Sequence, residues 1–375
     1  MNISYHFIPM GSVVTAAPGK IYIDVGNDFA PGLLDHHHAT APETCTAVLA
    51  LNHSEYILSQ TSPTIQLITH LYPDLDAISG IYFARAHLES VPISPHFQQW
   101  ADYVCHVDRG ETVLNPAQPI TPYSLFIMRL YQASQSETSP EANSLAMLEA
   151  GLDFIENIMA KLAQGQNLTD ANFFEESLQT EIRAVSEDWE RYLADMKRAE
   201  LFECALPVSY QNSETNKNVG WVGAKRKPTV PLKSGGFPFH SYPPYISVPA
   251  LWIEGPSAIL FKAWARGDAK RAKQSSGFIF TGIQINPQRA ILSVMPDSGV
   301  NLKGLGAALE IAETKKREKL GEIRQGQNRP GYDSPDPWYD GRSPLHAYTI
   351  VDAPHQGSIL TATEIRAVFE KWLLY

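Results

Sequence analysis

The chain has 375 residues, 44% hydrophobic and 19% charged, with a net charge of −10 at pH 7. Its length predicts two domains and its composition excludes wholesale disorder, while the acidic excess argues against a broad duplex-DNA face and leaves room for a local nucleotide pocket. The apolar runs are too short and interrupted to span a membrane. "MNISYHFIPMGS" lacks the basic start and long apolar stretch of a secretory signal. Cys45, Cys105 and Cys204 are too scattered for a disulfide framework, so a reducing, cytoplasmic setting is expected.

Taken in chain order, "KIYIDVG" (20–26) reads as an apolar strand, "ETCTAVLALNHSEYIL" (43–58) as helical, and "TIQLITH" (64–70) as a second strand. "DAISGIYFARAHLES" (76–90) suits a helix, and "HFQQWADYVCHVD" (96–108) a helix ending in a short strand. From 122 to 203 the pattern turns to long helices, "NSLAMLEAGLDFIENIMAKLAQ" and "ESLQTEIRAVSEDWERYLADMKRAELF", with apolar residues every three or four positions. Polar "SYQNSETNKN" (209–218) is the candidate linker. Beyond it "ISVPALWI", "SAILFKAWA", "SGFIFTGIQI", "RAILSVM" and "AYTIVDA" read as strands, with helices near 303–323 and 363–374. The expected fold is α/β: a mainly parallel sheet with helices on both faces in residues 1–205, followed by a smaller α/β, mixed-sheet domain in 219–375.

Four stretches of the first domain, all within 20–110, place Asp or His where a strand is expected to end. They hold Asp24; Asp35, His36 and His37; His70, Asp74 and Asp76; and Asp108. A parallel sheet gathers the carboxyl ends of its strands at one edge, where so many carboxylates would repel one another unless cations lay among them. Carboxylate with neutral imidazole suits Mn2+, with Mg2+ possible where oxygen dominates. Two such ions about 3.5 to 4 Å apart can activate a water and stabilise charge on a phosphoryl group. For "DHHH" alone a solvated or helix-capping loop is the alternative, and for Asp108 a turn or capping role.

The same stretches resemble the motifs of the DHH phosphoesterase superfamily, which includes exopolyphosphatases, manganese-type pyrophosphatases, oligoribonucleases and cyclic dinucleotide phosphodiesterases. "HLYPDLDAISG" is similar to its first motif, "IDVG" to the second, "LLDHH" to the third and "HVDRG" to the fourth. Here the second and third motifs precede the first, as a circular permutation of the sheet would arrange them. The resemblance implies one metal on His70, Asp74 and Asp24 and another on Asp76, Asp24, His36 and Asp108. It further implies that Asp35 orients a histidine and that His37 faces the substrate phosphate.

In the second domain, "SGVNLKGLGAALE" (298–310) offers a small-residue helix start that could cradle phosphate or simply pack closely. "DSPDPWYDGRSPLHAYTIVDAPHQGS" (333–358) places Trp338, Arg342 and His346 among turn residues as candidate substrate contacts, an ordered surface loop being the alternative. "AKRKP" (224–228) reads as a solvated basic turn. The expected function is a metal-dependent phosphohydrolase acting through two ions on a small phosphorylated substrate or short nucleic acid. A nucleotide-binding or regulatory module that does not hydrolyse its ligand is the alternative.

Overall fold

The structure, a computed structural model, describes residues 2–35, 44–60, 62–135, 139–168, 178–208, 245–274, 276–326, 331–343 and 346–374. Strands β1 (Asn2–Ile8), β2 (Lys20–Ile23), β3 (Phe29–Ala30), β4 (Leu33–Leu34) and β5 (Thr64–His70) form one sheet in the order β1-β5-β2-β4-β3. Pairing is parallel from β1 to β4, and only the short β3 runs antiparallel. The first strand comes from an alternation in "NISYHFI" that sequence reading passed over: Ile3, Tyr5 and Phe7 pack against the core.

Helices α1 (Thr46–Asn52), α2 (Ser54–Leu58), α3 (Leu75–Leu88) and α4 (Pro95–Asp108) flank this sheet, followed by the helical block α5 (Pro122–Ser134), α6 (Pro140–Ala163) and α7 (Gln179–Asp195). Ile21, Ile23, Ile65 and Leu67 enter the large core with these helices, whereas Tyr22 and Ile68 belong to a smaller cluster with Val25 and Leu33. Because β1, β5, β2 and β4 are parallel, the chain leaves Ile8, His70, Ile23 and Leu34 on one edge of the sheet.

A second sheet, mixed and five-stranded, runs β10-β9-β8-β7-β6. It comprises β6 (Glu200–Pro207), β7 (Tyr245–Glu254), β8 (Phe280–Asn286), β9 (Arg289–Val294) and β10 (Ile350–Asp352). Helices α8 (Phe261–Gly267) and α9 (Ala269–Ala272) connect the parallel pair β7 and β8; α10 (Leu305–Leu320) and α11 (Ala362–Trp372) complete this part. Leu251, Ile253 and Ile283 join the first core, while Ala250, Trp252, Phe280 and Leu292 form the second core with Leu309, Ile365 and Phe369 from α10 and α11. Among the described residues no helix is long and apolar enough to cross a membrane.

Three expected elements differ. "CHVD" continues α4 instead of becoming a strand, because Phe97, Trp100, Ala101, Val104 and Cys105 keep a helical burial stripe to its end. "SAILFKAWA" holds helix α8 where a strand was expected: the Asp188 carboxylate accepts from the Ile259 and Leu260 amides and from the Trp264 indole, capping the helix from a distant part of the chain. The tail "ELF" of the long predicted helix instead starts β6, paired antiparallel with β7. The linker candidate 209–218 and "AKRKP" lie outside the described residues.

Candidate metal centre

Asp24 follows β2 and takes the left-handed conformation, φ 56, as do Asn27, three residues on, and Tyr72, two residues after His70. Such backbone is costly for non-glycine residues and persists where surrounding structure enforces it. The turn directs the Asp24 carboxylate toward β5: Oδ1 accepts from the Thr46 hydroxyl at 3.0 Å and Oδ2 lies 3.3 Å from His70 Nε2. Asp74 caps α3, its Oδ1 accepting from the Asp76 and Ala77 amides at 3.0 and 3.1 Å. Donor atoms of Asp24, His70 and Asp74 all lie within 4.8 Å of one another.

The tautomer of His70 follows from its other nitrogen. Nδ1 is 3.0 Å from the Leu71 carbonyl, which can only accept, so Nδ1 carries a proton. A neutral ring would then aim its Nε2 lone pair at a carboxylate. The contact is satisfied by a proton between the two atoms or by a cation that they share. Burial alone would lower the pKa of His70, but its bond to Asp24 and the charges of Asp74 and Asp24 push it up to about 9. Without a cation, a proton between His70 and Asp24 holds the site together.

Around this triplet, Asp76 is buried, and both its oxygens accept from the N-terminus of α1, Oδ2 from Thr46 N at 2.9 Å and Oδ1 from Ala47 N at 2.8 Å. Asp108, expected at a strand end, stands instead on the last turn of α4. Its Oδ2 is buried without a hydrogen-bond partner. Burial and the neighbouring carboxylates raise the pKa of Asp74, and raise those of Asp76 and Asp108 well above the ordinary range. Asp35 is buried and its Oδ2 accepts from the Asn27 amide at 2.8 Å. His36 and His37 lie outside the described residues.

These side chains line one wall of a cleft of about 480 Å³. The cleft is also lined by Lys262 and Arg266 of α8, Arg289 and Asp352 of the second sheet, and Tyr339 and His346 of the stretch before β10. His346 was a sequence candidate; Lys262 and Arg266 were missed, although two basic residues inside the apolar run "SAILFKAWAR" were a usable signal. Two other candidates are corrected. Trp338 is 1% exposed in the second core, its indole donating to Glu313 Oε2 at 3.3 Å, and Arg342 is held by Asp340 and lies over the Tyr332 ring, 3.8 Å from its centroid. Neither lines the cleft. The start of α10 is a packing site as well: a Cβ on Gly306 would lie 2.4 Å from that of Asp340. Comparisons with protein families, with curated proteins and with solved structures found no match to this chain.

Proposed function

We propose that this chain is a metal-dependent phosphohydrolase acting, in a cytoplasmic setting, on a phosphodiester or phosphoanhydride in a nucleotide, short oligonucleotide or polyphosphate. The observation that carries the reading is the Asp24, His70 and Asp74 triplet at the carboxyl edge of a parallel sheet, with an imidazole nitrogen aimed at a carboxylate. One nitrogen and several carboxylate oxygens are a donor set that suits Mn2+. The unpartnered, buried Asp108 oxygen fits a further cation, and two ions are the stoichiometry proposed. Bound divalent ions would supply charge compensation and water activation.

The chain's own residues supply orientation. Asp74 is fixed by two amides of α3, His70 by the Leu71 carbonyl and Asp35 by the Asn27 amide. The four motifs resembling those of DHH phosphoesterases support the same reading, and assign His37 to the substrate phosphate and His36 to a ligand role.

The test is hydrolysis of a panel of phosphodiesters and phosphoanhydrides with Mn2+, comparing the parent with Asp74→Ala, His70→Ala and His36→Ala variants of checked folding. Activity in the parent that drops at least about a hundredfold in each variant supports the reading. A metal-loaded parent that binds nucleotide without turning over any of the panel points to the binding module instead.

A further inference from the structure

Lys262 and Arg266 sit one helical turn apart on α8, so both line the cleft from the same face of that helix. Arg266 is 4% exposed. Its guanidinium donates to two neutral acceptors, the Gly110 and Val294 carbonyls, and its Nε is buried without a partner. No carboxylate forms an ion pair with it among the described residues. The Lys262 ammonium has no hydrogen bond or ion pair among them either, though Asp352 on the same wall acts on it electrostatically. Burial and the Arg266 charge bring the Lys262 pKa down to about 8, which leaves it mostly protonated at neutral pH.

Two adjacent cations without an ion-paired carboxylate, on a partly desolvated wall, repel each other and are stabilised when an anion joins them. The carboxylates of the cluster form no ion pair with either cation among the described residues. We infer that the α8 wall, Lys262 backed by Arg266, is an oxyanion subsite that takes a second anionic group of the ligand, a phosphate distinct from the one at the carboxylate cluster. The preferred ligand is then a small bisphosphorylated molecule. A sphere of the cleft's volume is about 10 Å across, which sets the reach between its two anionic ends. The identity of the ligand rests on the phosphohydrolase reading; oxyanion binding by the α8 wall does not.

The experiment uses the full chain in two arms, neither of which needs turnover. In the first, EDTA-treated protein at about pH 6 is titrated with inorganic phosphate by calorimetry, comparing the parent with Lys262→Ala, Lys262→Arg and Asp74→Asn variants whose folding is verified. Binding should weaken at least tenfold in Lys262→Ala, survive in Lys262→Arg, and persist or tighten in Asp74→Asn. In the second, Mn2+-loaded protein is titrated with pentyl phosphate and with pentane-1,5-diol bisphosphate. The bisphosphate should bind at least tenfold tighter in the parent, and that advantage should vanish in Lys262→Ala. Phosphate affinity unchanged by Lys262→Ala, or absent from the parent, overturns the subsite. Equal affinity for the two alkyl ligands in the parent limits the wall to free oxyanions and overturns its role in substrate selection. Loss of hydrolysis across the panel with both arms intact would overturn the phosphohydrolase reading alone.

Discussion

Loading the site with a divalent ion must expel the proton that Asp24 and Asp74 keep on His70. With a pKa of about 9, the ring is almost wholly protonated at pH 7, and a metal competing for Nε2 meets a penalty of about a hundredfold in affinity, or about 2.7 kcal/mol. Apparent affinity for Mn2+ should therefore climb about tenfold per pH unit between pH 7 and 9 and flatten above. The assay is calorimetric titration at pH 7 in two buffers of different ionisation enthalpy, which counts the protons released. About one should leave per protein, from the His70 imidazolium. In His70→Gln the count should fall by about one. Metal binding without proton release, or an unchanged count in His70→Gln, would refute the reasoning, and the pH slope of the parent decides the matter if that variant no longer loads.

The same shift has a stability consequence in EDTA-treated protein. A folded pKa near 9 against an ordinary 6.5 stabilises by about 3 kcal/mol below pH 6.5, and that contribution disappears as pH rises through 9. Denaturant unfolding should thus show a falling midpoint across that window, with a flatter profile in His70→Gln. Gly80→Ala in α3 would put a Cβ 2.7 Å from Ile23 Cγ2, wedging the helix from the strand that carries Asp24, and should cost about 1 to 3 kcal/mol in the same measurement. Glu313 is fully buried and accepts from Trp338, the Ile359 amide and Arg317. Its replacement by Ala should destabilise by about 3 to 5 kcal/mol, and a loss under about 1 would contradict the proposed network.

The parts legible in the sequence were those whose signal is local. β2 and β5 are apolar runs ended by an acidic or imidazole residue, and Asp74 announces α3 as a helix cap two residues before Asp76. Convergence of Asp24, His70 and Asp74 followed from the parallel sheet, which the alternation of strands and helices made readable. The misreadings come from interactions distant in the chain. α8 is helical because Asp188, on α7, caps it, and nothing within "SAILFKAWA" records that carboxylate. Trp338 sits among turn residues that suggested exposure, yet the buried Glu313 on α10 draws its indole into the second core. Asp108 looked strand-terminal because "CHV" is apolar and β-prone; the helical stripe that overrides it begins eleven residues earlier, at Phe97.

What lets the fold hold so many carboxylates together is the placement of two helix starts. α3 offers the Asp76 and Ala77 amides to Asp74, while α1 offers the Thr46 and Ala47 amides to Asp76. The N–H groups at a helix start carry partial positive charge, so these two ends partly compensate the cluster in place of lysine or arginine partners. The compensation is incomplete, as the raised pKa values of Asp74, Asp76 and Asp108 show. Basic side chains ion-paired with these acids would have quenched the cluster; on α8, Lys262 and Arg266 instead line the same cleft without such a pair. The arrangement leaves the cleft with a carboxylate cluster short of positive partners and, on α8, two cations without ion-paired carboxylates, which is the polarity suited to holding cations at the first and a phosphate beside the second.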